Sequence, residues 1–473
     1  MTIGKRRVLA LAIVLAVVLS LGLPVAAGEN PKRVVVGFDG PIPDAALAQV
    51  QSLARATHYV FNQINAVVVT ATESNVRAIA ALPGVSYVEE DGIAETEALP
   101  YNVQYDLDLI NVADGRANVA GAEAPHRLTS YDGTGVYVVI LDTGLVPNWK
   151  DYLDPAQVAV DLARSFPGNS GDISSSNNWD ADTDGHGTHV ASTILGFNYW
   201  SLYHFDGMAP KAKVVPVKVL SNSGSGFWSG VAAGMLYAIQ VSQQTNAPVV
   251  VNMILGGGPS RLIHDALVKG AEAGVVYSVA AGNAGADGMH YPGAYKEAIG
   301  VGAIGWTKAF TTGPWWRTLD VSEPYDLDEI FVAPFSSRSL SPEQDLDVLA
   351  PGVYIVGPYL NPGAAHPPDD AYFGSDAHSN VPSQYYYLSG TSMATPHVTG
   401  LVALMLQKDP SVGEFVASEG VSKAELVLEA NAVPLPAGQR TGVYRYNQVS
   451  WGDNATGHGI VFTDKVLEAI PAP

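Results

Sequence analysis

Residues 136–144 read VYVVILDTG. A run from Val136 to Leu141 with almost no polar atom cannot leave one face in water, so it reads as a strand covered on both sides, and Asp142-Thr143-Gly144 is the turn that ends it. Similar runs follow at Val214 to Leu220, Val249 to Leu255, Val275 to Ala280 and Ile299 to Ile304, each separated from the next by helical periodicity. Strand and helix in alternation give an α/β fold, a mainly parallel sheet with helices on both faces. Such sheets bind ligands at the carboxyl ends of their strands, so chemistry is to be sought in the polar residues just after these runs. Segments 306–333 and 358–384, rich in Pro, Gly, Tyr, Trp and Asp, break the rhythm and read as surface insertions.

Composition narrows the function. The 473 residues contain no Cys, which excludes disulfides, thiol catalysis and cysteine-ligated metals. With 25 Lys and Arg against 46 Asp and Glu the formal charge is -21, which repels phosphate backbones and acidic membranes, so neither nucleic acid nor a stable membrane association is expected. At the N-terminus Lys5, Arg6 and Arg7 precede an apolar run over 8–23 and then Pro24-Val25-Ala26-Ala27. That layout predicts a secretory signal peptide over 1–27, too short to span a bilayer, and a protein released outside the cell.

Residues 28–98 read as a separate unit. Strands are expected at Val34–Phe38, Tyr59–Ile64, Ala66–Thr70 and Val85–Glu89, and helices at Asp44–Ala54 and Ser74–Leu82. The order βαββαβ predicts a small ferredoxin-like α+β domain. The acidic, aperiodic stretch from Asp91 to Asp108 reads as a linker, leaving 99–473 for the second domain.

Three motifs of that second domain place a reactive residue beside glycine: VVILDTG at 138–144, DGHGTHVAS at 184–192 and SGTSMATPHVTG at 389–400. Asp142 follows a buried strand, His186 opens a helix, and Ser392 sits where a Gly-Thr turn enters a helix. A serine at a helix N-terminus has backbone N–H groups and a positive dipole end nearby, both suited to a developing oxyanion. Taken singly, these residues read as a turn former, a polar helix start and an N-cap. Together, in the order Asp, His, Ser, they form a nucleophile, a base and a residue that orients the base.

These motifs resemble those of the subtilisin-like serine proteases, and the likeness extends over most of 105–470. It includes GMAPKAKVVPVKVL at 207–220, GSGFWS at 224–229, VNMILGGG at 251–258, VAAGN at 279–283 and HYPGAY at 290–295, with spacings similar to the proteinase K branch. The resemblance implies a subtilisin-like three-layer sandwich and a serine endopeptidase with Asp142, His186 and Ser392 as triad. It implies Asn283 as the side-chain donor of the oxyanion hole, a group worth about 3 to 4 kcal/mol where it has been removed from subtilisin. Gly224, Ser225 and Gly226 on one side and Leu255 and Gly256 on the other would flank an extended substrate as added strands, a backbone pairing that tolerates many sequences. His290 would fall near the floor of the pocket for the residue preceding the scissile bond, and Trp228 on the rim of a more distant subsite or merely on the surface. Ile254 stands where relatives commonly have Ser. Asp151 matches a carboxylate that ligates structural calcium in many relatives, although Phe197 to His204 does not resemble their second ligand segment; no catalytic cofactor is implied. The N-terminal domain is similar to the family's inhibitor propeptide, which implies a self-cleaved zymogen inhibited by its own propeptide, cleaved between about Asp91 and Asp108. Leu99-Pro100 is a poor site because proline supplies no N–H. Protein or peptide substrates and a monomer are expected.

Asp180, Asp182 and Asp184 begin like an EF-hand loop, but Ala191 occupies the closing position where Glu is required. The three carboxylates read instead as a solvated acidic face, or as a rim that favours basic substrate residues beside the scissile bond, and their field would raise the pKa of His186. Rival chemistries lack parts. An aspartic protease needs a second Asp loop sharing a proton, whereas the chain has one Asp-Thr-Gly. A zinc hydrolase using His186 and His189 would need H-E-x-x-H, which is missing. A binding protein that has lost catalysis would normally lack a triad member, and all are present.

Overall fold

The structure is a computed structural model whose described residues are 31–62, 64–91, 101–102, 104–114, 126–166, 178–199, 203–309, 321, 326–359, 370–371, 385–443 and 446–471. The expected leader, most of the linker and the greater part of both insertions lie outside them. Two compact units follow one another, 1–98 and 99–473.

The first unit contains β1 (Lys32–Phe38), α1 (Asp44–Leu53), β2 (Ala56–Phe61), β3 (Ala66–Ala71), α2 (Glu73–Ala80) and β4 (Val85–Glu90). The strands form one antiparallel sheet in the order β2-β3-β1-β4, the ferredoxin-like arrangement. Val34, Val36, Val67 and Val69 project to one face and pack against Val50 of α1 and Ile79 of α2. The second strand is displaced from its expected place at Tyr59–Ile64. Pairing with β3 starts it at Ala56, and it ends before a turn in which Asn65 takes a left-handed φ of 53° and Ile64 is 69% exposed.

The second unit is built on β5 (Tyr137–Asp142), β6 (Arg164–Ser165), β7 (Lys213–Lys218), β8 (Val249–Met253), β9 (Val276–Ala280), β10 (Ile299–Trp306), β11 (Ile330–Val332) and β12 (Val348–Pro351). Their order is β11-β10-β9-β8-β5-β7-β6, with β12 also parallel to β10, and among these described strands only β11 runs antiparallel. Alternation explains the apolar runs. Val138 and Ile140 of β5 enter the core shared with α4 (His186–Leu195) and α7 (Thr391–Lys408), while Val139 and Leu141 enter the one shared with α5 (Trp228–Thr245) and α6 (Arg261–Glu272). Two apolar faces on one sheet give the three layers.

Two expectations are corrected here. The insertion expected at 306–333 does not extend to its end, because Ile330–Val332 is a buried strand paired antiparallel with β10. The linker ends before Tyr105, because α3 (Tyr105–Leu109) is buried along its whole length. Its acidic residues have interior partners: Asp106 Oδ2 lies 2.8 Å from His397 Nε2, and Asp108 Oδ2 accepts from the Val321 N–H at 3.0 Å. Composition marks such a segment as polar; tertiary partners make it core.

Candidate active site

Parallel pairing brings the carboxyl ends of β5, β7, β8 and β9 to one edge of the sheet. Asp142 ends β5; residues 221–226 follow β7, 254–257 follow β8, and 281–283 follow β9. The expected site residues other than Ser392, His186, His290 and Asp151 therefore leave the sheet at this edge, and His290 is joined to it by its N–H, which donates to the Ala281 carbonyl at 2.9 Å.

His186 is the first residue of α4, and its Nδ1–H donates to Asp142 at 3.0 Å from Oδ2 and 3.2 Å from Oδ1. Both side chains are buried. The approach depends on Gly187: a methyl group there would lie 2.2 Å from the Gly144 carbonyl oxygen and 3.3 Å from Asp142 Cβ. A side chain would thus push the helix start off the strand end. Burial opposes charge on His186, yet Asp142 first, then Asp184 and Asp182, raise its pKa above the usual imidazole value. Burial also opposes charge on Asp142, but the imidazole and the Thr143 N–H hold its carboxyl below the usual range. The pair is therefore an ionised carboxylate aligning a basic imidazole.

Ser392 is the second residue of α7, half-buried, on a helix that packs against α4. Its N–H belongs to the first helical turn, where donors lack an intrahelical acceptor. Asn283 is exposed at the end of β9, and its Oδ1 accepts from Thr391 N (2.9 Å) and Thr391 Oγ1 (3.0 Å). That leaves Nδ2 turned away from both donors. A methyl group built on Gly390 would lie 3.5 Å from Asn283 Nδ2 and 3.5 Å from Ser392 N, so both donors border one hollow above a residue with no side chain. Two N–H donors on one hollow suit an oxyanion.

The acidic stretch before His186 is not a solvated face: Asp182 and Asp184 are each 0% exposed. Asp182 accepts from Thr143 Oγ1 (2.8 Å), Asp184 N (2.9 Å) and Gly185 N (2.9 Å), and burial pushes its pKa up to about 6 against those donors and Lys218. Asp184 Oδ1 accepts from the His186 N–H at 3.2 Å. These carboxylates are the scaffold of the loop that delivers the histidine, because they gather the backbone N–H groups of its tight turn and the Thr143 hydroxyl. Lys218, fully buried, donates to the Thr143 carbonyl (2.6 Å) and to Asn222 Oδ1 (2.9 Å). The sequence motifs mark neither Thr391 nor Lys218 as functional, although a lysine inside the apolar run VVPVKVL is a visible signal.

The substrate-flanking residues open onto the same edge. Ser225 and Gly226 are exposed, Gly224 half-buried, and the Ser225 carbonyl accepts from Ser221 N at 2.8 Å. Gly256 is exposed, and Leu255 packs against the second core. His290 sits between two backbone segments: methyl groups on Gly256 and Gly282 would each lie 2.8 Å from its Cβ and Cγ respectively. Trp228 opens α5 and packs over Gly257, where a methyl group would lie 3.0 Å from its ring, and Ile254 is core. His189 turns elsewhere. Its Nε2–H donates to the carbonyls of Ile355 (3.1 Å) and Tyr386 (3.3 Å), and burial lowers its pKa to about 3. Asp151 is exposed and accepts from Asn148 Nδ2 at 3.1 Å; among the described residues it joins no group of three acidic or histidine side chains able to hold an ion.

Residues 133–458 match the subtilase family. The subtilisin-like serine protease pepC of Aspergillus niger is 31% identical over 365 residues, 74% of this chain and 56% of that protein. Subtilisin E of Bacillus subtilis is 30% identical over 397 residues, 82% of this chain and 84% of that protein. The solved structure of the S41 psychrophilic protease superposes with a TM-score of 0.52 at 25% identity, covering 77% of this chain and 99% of that one. This chain spans little more than half the length of the Aspergillus relative and of the alkaline serine exoprotease A of Vibrio alginolyticus. It belongs to the subtilase family.

Proposed function

We propose that this subtilase is a secreted serine endopeptidase of broad specificity, made as a zymogen and freed by self-cleavage. The observation that carries the reading is the Asp142–His186 pair together with the hollow bordered by Asn283 Nδ2 and Ser392 N. Ser392 Oγ attacks the scissile carbonyl while His186 Nε2 takes its proton, and Asp142 stays ionised, holding the imidazolium that forms. Asn283 and the Ser392 N–H donate to the oxyanion. Collapse passes the proton from His186 to the leaving amine and leaves an acyl-enzyme. Water, deprotonated by the same histidine, then releases the acid. Nucleophile, base and oxyanion donors all come from this chain, so the reaction needs no catalytic cofactor. Peptide backbone would pair with 224–226 and 255–256, and structural calcium at Asp151 remains part of the proposal.

Residues 28–98 would act as the intramolecular inhibitor, and the signal peptide 1–27 would direct export of a monomer. Self-cleavage is proposed between about Asp91 and Asp108, and the burial of α3 from Tyr105 onward favours a site before it. Intact mass of the secreted protein, wild type beside Ser392→Ala, each with and without a fluorophosphonate, tests the whole reading. Wild type should lose the residues up to that site and take one label, and the mutant should remain unprocessed and unlabelled. Full-length, unlabelled protein in both cases would require the protease reading to be withdrawn.

A further inference from the structure

We propose that Asp347, Glu429 and His458 form a binding site for a divalent cation of the zinc type, with Glu425 as the carboxylate behind it. The residues come from three segments. Asp347 immediately precedes β12, Glu425 and Glu429 lie one turn apart on α8 (Lys423–Asn431), and His458 lies in the loop after the hairpin of Gly438–Val443 and Tyr446–Trp451. That loop is stitched to the strand: His458 N donates to the Asp347 carbonyl (2.7 Å), Leu349 N to the Gly459 carbonyl (2.8 Å) and Val461 N to the Leu349 carbonyl (3.2 Å). The histidine and the aspartate are therefore held together by main chain before any side chain is considered.

One ligand atom from each of Asp347, Glu429 and His458 lies within 4.8 Å of the other two, and His458 Nδ1 is 3.6 Å from Glu429 Oε1. Ligands about 2.0 to 2.2 Å from a tetrahedral ion stand about 3.4 Å apart, so small side-chain movements close the set. A second observation is independent of this proximity. Asp347 is 0% and Glu425 1% exposed; Asp347 Oδ2 accepts from Gly300 N at 2.5 Å, but Asp347 Oδ1 and Glu425 Oε2 have no hydrogen-bond partner among the described residues. Buried carboxylate oxygens without donors are costly and call for a positive partner.

The donor set selects the ion. Calcium prefers oxygen ligands throughout, whereas imidazole beside carboxylates suits zinc and its neighbours. Glu429 is half-buried and His458 exposed, which leaves a path for entry and a position for water. The ion would fasten α8 and the following loop to the edge of the main sheet, a staple in a chain that has no cysteine.

The test uses the full chain carrying Ser392→Ala, to prevent self-digestion, stripped with EDTA and dialysed. Calorimetric titration with zinc should give one site per chain, and zinc should raise the thermal midpoint by several degrees. Glu429→Gln and His458→Gln, both at partly or fully exposed positions, should each weaken zinc binding at least tenfold, while Asp151→Asn leaves it unchanged. Absence of zinc binding, undiminished binding in both variants, or calcium binding more tightly than zinc and indifferent to His458→Gln would each overturn the assignment.

Discussion

Thr391 donates both its backbone N–H and its hydroxyl to Asn283 Oδ1, at 2.9 and 3.0 Å, so the residue before the proposed nucleophile sets the direction of the proposed oxyanion donor. The same hydroxyl accepts from Gly282 N at 3.2 Å, which ties the end of β9 to the start of α7. Thr391→Val keeps the shape and the backbone bond but removes the hydroxyl. An Asn283 amide free to turn should lower kcat about tenfold, about 1.4 kcal/mol, with KM little changed and Thr391→Ser restoring the rate. An unaltered kcat in Thr391→Val would show that the backbone bond alone suffices.

The pH profile should carry the signature of the buried carboxylates. Protonated His186 cannot act as base, so activity is lost as pH falls through its pKa, and Asp142, Asp184 and Asp182 place that midpoint above the usual imidazole value. Asp182→Asn removes a negative charge that favours the imidazolium, so the acid limb of kcat/KM should move to lower pH. An unchanged profile would leave Asp182 only its structural role as acceptor for Thr143, Asp184 and Gly185.

His290 fills the space between Gly256 and Gly282, both on segments that would line the pocket for the residue before the scissile bond. Replacing it by glycine deepens that slot. The ratio of kcat/KM for a peptide with Phe at this position to one with Ala should rise at least tenfold in His290→Gly. A ratio that stays constant would place His290 outside the pocket.

Asp106 and His397 are both 0% exposed and bonded at 2.8 Å, which fastens α3 to the helix carrying Ser392. Asp106→Ala strands a buried imidazole donor and should cost about 3 kcal/mol. The check is the urea midpoint of the Ser392→Ala chain with and without the second substitution. A midpoint that does not move would mean that the segment before residue 110 contributes little to stability.

Much of this protein is local enough to be written in its sequence. Continuous apolar runs, which need cover on both faces, announce β5, β7, β8, β9 and β10 without help from the rest of the chain. Asp142, His186, Asn283 and Ser392 stand out as candidates because each stands near a glycine that allows close approach, as Gly187 against the Gly144 carbonyl illustrates. What the chain order could not supply is the partner of a polar residue. Asp106 looks like linker until His397, 291 positions away, receives it; Asp182 and Asp184 look solvated until a tight turn surrounds them with N–H groups. Asp347, Glu425, Glu429 and His458 have no common motif, and only the packing of α8 and of the loop carrying His458 against β12 brings them together. Apolar burial follows a periodicity that a sequence displays directly, whereas the placement of a buried charge depends on which distant groups the finished fold can bring to it.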